Sequence, residues 1–257
     1  MDGTPPLALF DDQLRRRLPA ERPDTRVLRD GPVVRHVAED PHEWSGVVFT
    51  DLDESTADAA IAAELPWFDR PGHYEWKYHG HDLPADLPDR LRAAGLVGGE
   101  TEAVMVAEVT GLLDVPVPAG VRIERVTDPA GVAAVVDVHD RVFGGDHGRL
   151  GALLAARLRD APDSLDVVLA VADGAPVSAA RIEYSAGTDF AGLWGGGTLP
   201  PWRGRGIYRA LVGYRARLAA DRGFRFVRVD ALPPSRPILA GLGFVQLTTT
   251  VEFTKPA

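Results

Sequence analysis

Hydrophobic residues recur along the chain with two different periods, and the alternation between them predicts its elements. Near the start, Leu7, Phe10, Leu14 and Leu18 keep the three-and-four spacing of one helical face. Residues 46–49 read as a strand, and Ser55 caps a helix to about residue 65, in which Ile61 and Leu65 are four apart. Alternating aromatics at 74–78 predict a strand, 86–94 a helix ended by Gly95, and 103–107 a buried strand. The second half opens with a strand at 121–123. Helices follow at 129–143, where Pro129 suits a first-turn position, and at 150–160. Two apolar strands, 165–172 and 175–184, flank Asp173-Gly174, a strong hairpin signal. A third run, 190–198, contains three successive glycines. Ile207, Leu211, Tyr214 and Leu218 then mark one face of a helix over 207–221. A strand at 224–229, a short helix at 235–242 and a strand at 245–253 close the chain. An antiparallel meander that turns into β-α-β is the distinctive order, and the expected class is α+β.

Composition narrows the function classes. A chain of 257 residues, 45% hydrophobic, has enough apolar content for a sizeable core and lies between one and two domains of about 150 residues. There is no cysteine, which excludes disulfides, thiol nucleophiles and Cys-ligated zinc. No stretch approaches the roughly 18 apolar residues of a membrane span. No basic start followed by an apolar run reads as a secretory signal either, so a soluble, cytoplasmic protein is expected. The net charge of −9 disfavours non-specific nucleic-acid binding by the whole surface. That charge is uneven: residues 1–118 hold 11 basic and 23 acidic side chains, residues 119–257 hold 17 and 14. The Pro-rich break at 115–120 is the natural seam, giving expected domains 1–118 and 119–257.

The chemistry concentrates between residues 195 and 211. A strand feeds a Gly-rich turn, Arg203-Gly204-Arg205-Gly206, which opens a helix. The start of a helix leaves several backbone N–H groups unpaired and carries positive dipole. Glycines at 204 and 206 remove the Cβ atoms that would hold a phosphate away from those donors. From Arg203 to Arg228 there are eight arginines and one acid, Asp221, a positive run in an acidic protein. The plain alternative is a glycine turn before an arginine-coated surface helix. A Rossmann turn fits badly because Arg209 stands where its third glycine belongs, and no Gly-Lys-Ser/Thr exists for a Walker loop.

Arg203-Gly204-Arg205-Gly206-Ile207 resembles the acetyl-coenzyme-A loop, R/Q-x-x-G-x-G/A, of the GNAT superfamily of N-acetyltransferases. The stretch Ser235-Arg236-Pro237-Ile238-Leu239-Ala240-Gly241-Leu242-Gly243-Phe244 resembles that family's closing β-α unit with its Leu-Gly-Phe signature. The likeness spans about residues 120–253 and includes the element order; Tyr208 departs from it, standing where the loop motif ends in a small residue. A worn copy of the β-α-β ending, at 74–106 and without a counterpart of the loop, suggests two tandem GNAT-like units, the first degenerate and unable to bind coenzyme A by the same loop.

What the resemblance implies is acetyl-CoA as co-substrate and transfer of acetyl to a primary amine of a small molecule or peptide by direct attack. The strand at Gly196, Gly197 and Thr198 would splay from the 224–229 strand to admit the pantetheine arm, with a bulge amide as oxyanion donor. Backbone of Gly204, Arg205, Gly206, Ile207, Tyr208 and Arg209 would bind the pyrophosphate, with Arg203 and Arg205 adding charge, and Ser235 would bond the pantetheine or cap its helix. An amine near pKa ~10 is protonated at neutral pH and needs a base. Glu183 is the expected base, with Asp230 as alternative. The family's acidic tyrosine falls on Leu239 here, leaving Tyr208 or Tyr184 to protonate the thiolate. Two rival readings stay open: a non-catalytic acyl-CoA-binding or sensing protein, favoured by the missing tyrosine, and nucleic-acid binding by the arginine-rich helix, disfavoured by its half-buried face. His73, His79, His81 and Asp82 cluster but lack helical metal spacing; they are expected in a surface loop, and no metal site is expected. Trp44, Trp67, Trp76 and Trp202 read as core or cleft-lining side chains. The acceptor's identity and the oligomeric state leave no mark in the sequence.

Overall fold

The computed structural model describes residues 6–19, 24–41 and 43–256. They form two compact units: unit 1 takes the residues up to Met105 together with 230–236 and those from 246 on, and unit 2 takes 106–229 and 237–245. The division differs from the expected seam, which falls inside unit 2. Strand pairing sets the boundary, since the last strand completes a ladder in unit 1.

In unit 1, α1 (Pro6–Phe10) continues into a π-helical turn, Asp11–Arg16. Next comes a hairpin, β1 (Thr25–Asp30) and β2 (Val33–Ala38), turning at Gly31 with φ 55°. β3 (Trp44–Thr50) and β4 (His73–His79) are parallel, joined through α2 (Ala57–Phe68). α3 (Leu87–Ala93) follows, then β5 (Val97–Gly98) and β6 (Glu102–Glu108). The final strand, β12 (Val245–Thr254), pairs antiparallel with β4 from Thr250↔His79 to Phe253↔Trp76. Trp76, Ile61, Leu87, Leu91 and Phe253 fill the core between this sheet and the two helices.

The expected surface loop of histidines is not one. His79 ends β4 with 3% exposure, and Asp82 is 8% exposed. The reason is Arg15, itself buried: it donates to the Val48 carbonyl at 3.0 Å, to Asp11 at 2.6 Å and to Asp82 at 2.6 Å. A guanidinium thus occupies the centre of the carboxylates, and among the described residues no group of His, Cys, Asp or Glu could hold a metal.

Burial, reinforced by Arg15, Lys77 and His81, holds the His79 imidazole well below the usual histidine range. It stays neutral in the folded chain, whereas an unfolded histidine takes up a proton near pH ~6.5. Below that value the unfolded state binds more protons, so stability should fall as pH drops, by up to about 1.4 kcal/mol per pH unit for one group. Urea titrations at pH 7.5 and 5.5 should show this loss in the wild type and a smaller one in His79→Gln; parallel losses would assign it elsewhere.

Unit 2 begins on the end of β6 and holds β7 (Val121–Arg125), α4 (Pro129–Phe143) and α5 (Gly148–Asp160). Asp128 caps α4 by accepting the Gly131 N–H at 2.7 Å. β8 (Leu165–Ala172) and β9 (Ala175–Tyr184) turn at Asp173-Gly174, where both residues have positive φ, 50° and 77°. β10 (Phe190–Thr198), α6 (Ile207–Asp221) and β11 (Phe226–Ala231) follow, then the short α7 (Arg236–Ala240). The strand order β11-β10-β9-β8-β7 is antiparallel except for the parallel β10–β11 pair. Among the described residues no helix is long and apolar enough to cross a membrane.

Candidate active site

Two irregularities in unit 2 meet at β10. Its parallel ladder with β11 runs only through Phe190↔Phe226, Ala191↔Val227 and Gly192↔Arg228. β10 itself continues to Thr198, so the strands part after Gly192. On the other side, the ladder with β9 passes from Trp194↔Arg181 to Gly197↔Ala179 and skips Gly195 and Gly196. That bulge explains the three glycines individually. Gly195 has φ 58°, and a Cβ there would meet the His139 ring at 2.9 Å. A Cβ on Gly196 would meet the Tyr208 ring at 2.9 Å, and one on Gly197 would strike Val142 at 2.8 Å. The alternation also shows that α4 and α6 cover opposite faces of β10.

The bulge is held from the α4 face. His139, 2% exposed, bonds the Gly195 carbonyl through Nε2 at 2.9 Å; a carbonyl only accepts, so Nε2 carries the proton. Burial pushes the imidazole below the ordinary histidine range despite that bond. The Gly195–Gly196 peptide is trans, so its N–H points away from its carbonyl and hence from His139. Beside His139, with ring centroids 5.6 Å apart, lies His147. Its Nδ1 and its backbone N–H both meet Asp140 Oδ1, at 2.9 and 2.8 Å. On the α6 face, Arg215 is 1% exposed and donates to the carbonyls of Leu211 (3.1 Å) and Arg181 (2.9 Å). Burial lowers its pKa to about 10, leaving a cation beneath Gly196. Tyr208, whose ring also faces Gly196, is half-buried, and burial pushes its hydroxyl up.

The loop after β10 reaches α6 through a short turn, Pro200–Trp202. Gly204 and Gly206 have φ 75° and 80°. Gly206 is the N-cap, and no side chain caps the helix. The Ala210 N–H to Gly206 carbonyl bond, 3.0 Å, starts the helical ladder, so the preceding amides point out of the helix mouth. A cleft of about 560 Å³ opens there, lined by Arg205, Gly206 and Arg209 with Asp114, Gly241 and Leu242. Arg205 lies over the Trp202 ring at 4.6 Å. Arg203 is tied back to the Thr198 carbonyl at 2.9 Å, so it braces the turn.

The counterpart in unit 1 differs chemically. Between β3 and α2, the Asp53 carboxylate accepts the N–H groups of Ser55 and Thr56, both at 2.9 Å. Bonds from the Ser55 and Thr56 side chains, and then these two, hold its pKa down. An anion is thus built into that helix start, and Asp51, Glu54 and Asp58 surround it in sequence.

Several of the expected residues are engaged by other partners. Burial alone would raise the Glu183 carboxyl, but Arg181 (2.7 Å) and Arg157 (3.0 Å) pair with it and hold it below the usual range, which makes it a weaker base. Asp230, the alternative, is in unit 1, paired with Lys77 at 2.7 Å. Tyr184 donates to Asp166 at 2.7 Å and stacks on Phe224. Ser235 also falls in unit 1, its hydroxyl donating to the Leu232 carbonyl at 3.0 Å rather than capping α7. Gly196, Gly197, Thr198, Ile207, Tyr208 and Arg209 all lie at the bulge, strand end or helix mouth. His139, His147, Asp140 and Arg215 lie outside the sequence-based expectation. Only Arg215 leaves a readable trace, as an arginine four residues after Leu211 on the apolar stripe of α6.

No family model matches the sequence, and neither does any curated protein. Solved structures do match. The chain is similar to a GCN5-related N-acetyltransferase from Kribbella flavida, with a TM-score of 0.71 and 20% identity over 94% of this chain and 93% of that one. A GCN5-related N-acetyltransferase from Sphaerobacter thermophilus matches with a TM-score of 0.62 and 16% identity, over 88% and 81%. A tandem GNAT protein from the clavulanic acid biosynthesis pathway matches with a TM-score of 0.60 and 16% identity, over 90% and 83%. A mostly antiparallel sheet flanked by helices, parted at one parallel strand pair and alike over most of its length to GNAT structures, one of them a tandem GNAT protein, gives this chain the GNAT fold.

Proposed function

We propose that the chain is an acetyl-CoA-dependent N-acetyltransferase that acts on a primary amine by direct attack, with one active site, in unit 2. The observation that carries this reading is the uncapped, glycine-opened start of α6 beside the parting of β10 and β11. Such a helix mouth favours a pyrophosphate, and the parted strands offer backbone groups to a pantetheine arm. Arg205 and Arg209 add positive charge at the cleft. The same position in unit 1 is already filled by Asp53, which argues for one such site among the described residues.

In this mechanism the Gly196 N–H faces the thioester carbonyl and donates to the oxyanion as the amine nitrogen attacks. Arg215 supplies fixed positive charge behind it. His147 takes the ammonium proton on Nε2, with Nδ1–H donated to Asp140 to hold the ring. As the C–S bond breaks, Tyr208 gives its proton to the thiolate, and the proton shed by the new amide nitrogen restores it; burial keeps its hydroxyl protonated until then. One observation favours the rival, a non-catalytic acyl-CoA-binding protein: Leu239, where the family resemblance places a tyrosine, is fully buried and apolar.

Incubating the protein with acetyl-CoA and a panel of primary amines, and reading free thiol, separates the two. Amine-dependent thiol release is expected; binding of acetyl-CoA without release would leave the binding protein, and no binding would reject both. A finer prediction follows from the bulge. His139→Leu removes the donor to the Gly195 carbonyl, frees the peptide to turn and should lower kcat by up to about 10²–10³-fold, the effect of losing one oxyanion donor. His139→Gln, whose amide nitrogen sits near the position of Nε2, should recover most of that loss. Equal defects in both variants would make His139 a packing residue only.

A further inference from the structure

Unit 1 carries a concentration of charge opposite in sign to the arginines of α6. On β4, Glu75 and Lys77 are two residues apart and share one face of the sheet, while Trp76 is buried on the other. The register sets Glu252 of β12 directly across from Lys77, hence diagonal to Glu75, within reach of long side chains. Asp230 reaches the same face, its carboxylate accepting from Lys77 Nζ at 2.7 Å. Glu102 belongs with them, since Asp230, Lys77 and Glu252 are the charges acting most strongly on its carboxyl. Four carboxylates therefore gather around Lys77, one of only two lysines in the sequence, and His73, whose Nε2 meets Glu75 Oε2 at 3.0 Å.

One atom of this group is unsatisfied. The Glu75 side chain is 1% exposed, and its Oε1 is buried without a hydrogen-bond partner. A buried carboxylate oxygen with no donor calls for a missing partner. Burial, with Asp230 acting on Glu102 and Glu75 acting on Glu252, raises both of those carboxyls, and a bound cation would relieve that repulsion.

The spacing selects the kind of cation. A divalent metal needs several oxygens converging on one point, and among the described residues no group of three His, Cys, Asp or Glu does so. These carboxylates are instead spread over neighbouring strands, about 4.8 Å apart each, as a row of ammonium groups would require. We propose that this face of unit 1 binds an oligoamine, a linear cation with two or more ammonium groups, one of which donates to Glu75 Oε1. The proposal does not rest on acetyl transfer.

Isothermal titration of the full chain with spermidine, at low ionic strength and without acetyl-CoA, tests it. One spermidine per chain is expected, with n-butylamine at least tenfold weaker and no displacement by equimolar Mg²⁺. Glu75→Gln should weaken spermidine binding at least tenfold and Glu252→Gln about threefold or more, while Glu124→Gln, in unit 2, should leave it within twofold. No binding, equal affinity for n-butylamine, displacement by Mg²⁺ or indifference to both substitutions would overturn the proposal. Should Glu75→Gln fold poorly, Glu252→Gln, at an exposed position, decides between these outcomes. Since no acetyl-CoA is present, failure here leaves the transferase reading intact, and failure of thiol release leaves this site intact.

Discussion

Replacing His147 by alanine is expected to lower the rate of acetyl transfer about 10²–10⁴-fold, the usual contribution of a positioned base, while acetyl-CoA binds as before. Glu183 is committed to two arginines and Asp230 to Lys77. His147 is oriented by Asp140, stands against the ring of His139 and keeps 26% of its side chain exposed, so an amine can reach it. The backbone N–H of His147 bonds Asp140 independently of the imidazole, so the alanine variant should keep its loop. Free imidazole in millimolar amounts should restore part of the lost turnover. Undiminished turnover in the variant would transfer the role to another group, and a fall in acetyl-CoA affinity equal to the fall in rate would mark His147 as structural.

Gly206→Val should abolish stabilisation by acetyl-CoA. At 100 times its dissociation constant a ligand adds about 2.7 kcal/mol, a rise in melting temperature on the order of 5–10 °C at this size. Gly206 sits at φ 80°, a conformation that costs a non-glycine residue about 1–3 kcal/mol. A β-branched residue would strain or reshape the turn that aims the amides, and its methyls would enter the anion's space. Strain alone must be separated from lost binding. Gly174, in the β8–β9 turn with φ 77° and open space around it, is the control: Gly174→Val should melt lower yet still rise with acetyl-CoA. A full ligand shift in Gly206→Val would move the phosphate site away from α6.

The sequence is most legible where local signals and tertiary demands agree. The meander of unit 2, from the Asp173-Gly174 turn to the helix at 207–221, has the bounds that periodicity and turn residues predict. The hairpin of β1 and β2 escapes such a reading although Asp30-Gly31 turns it, because arginines interrupt its alternation; Arg35 is buried there by bonding Glu64, donating from Nε at 2.8 Å. The proposed phosphate loop is readable because backbone freedom at glycine is what opens the helix mouth. The proposed acid–base groups are not. Glu183 looks available until folding brings Arg157 to it from α5, and His139 and His147 gain meaning only when α4 lies across the bulge. A similar arrangement recurs in unit 1, where β3 is bulged near Val48. There Arg15, from the first helical segment, holds the Val48 carbonyl; nothing in residues 11–16 announces that.

The descent of the last strand into unit 1 has a consequence during synthesis. Most domains can fold once their own segment has left the ribosome, the amino-terminal one first. Here β4 lacks its antiparallel neighbour until β12 emerges, about 140 residues after Met105. At roughly 5–20 residues per second the wait is on the order of 10–30 s. Throughout it the nascent chain presents an unzipped rim, His73–His79, to whatever extended peptide passes by. Unit 2 is complete at residue 245, before the paired part of β12 has emerged, so translation reverses the customary order: the half made first is the half completed last.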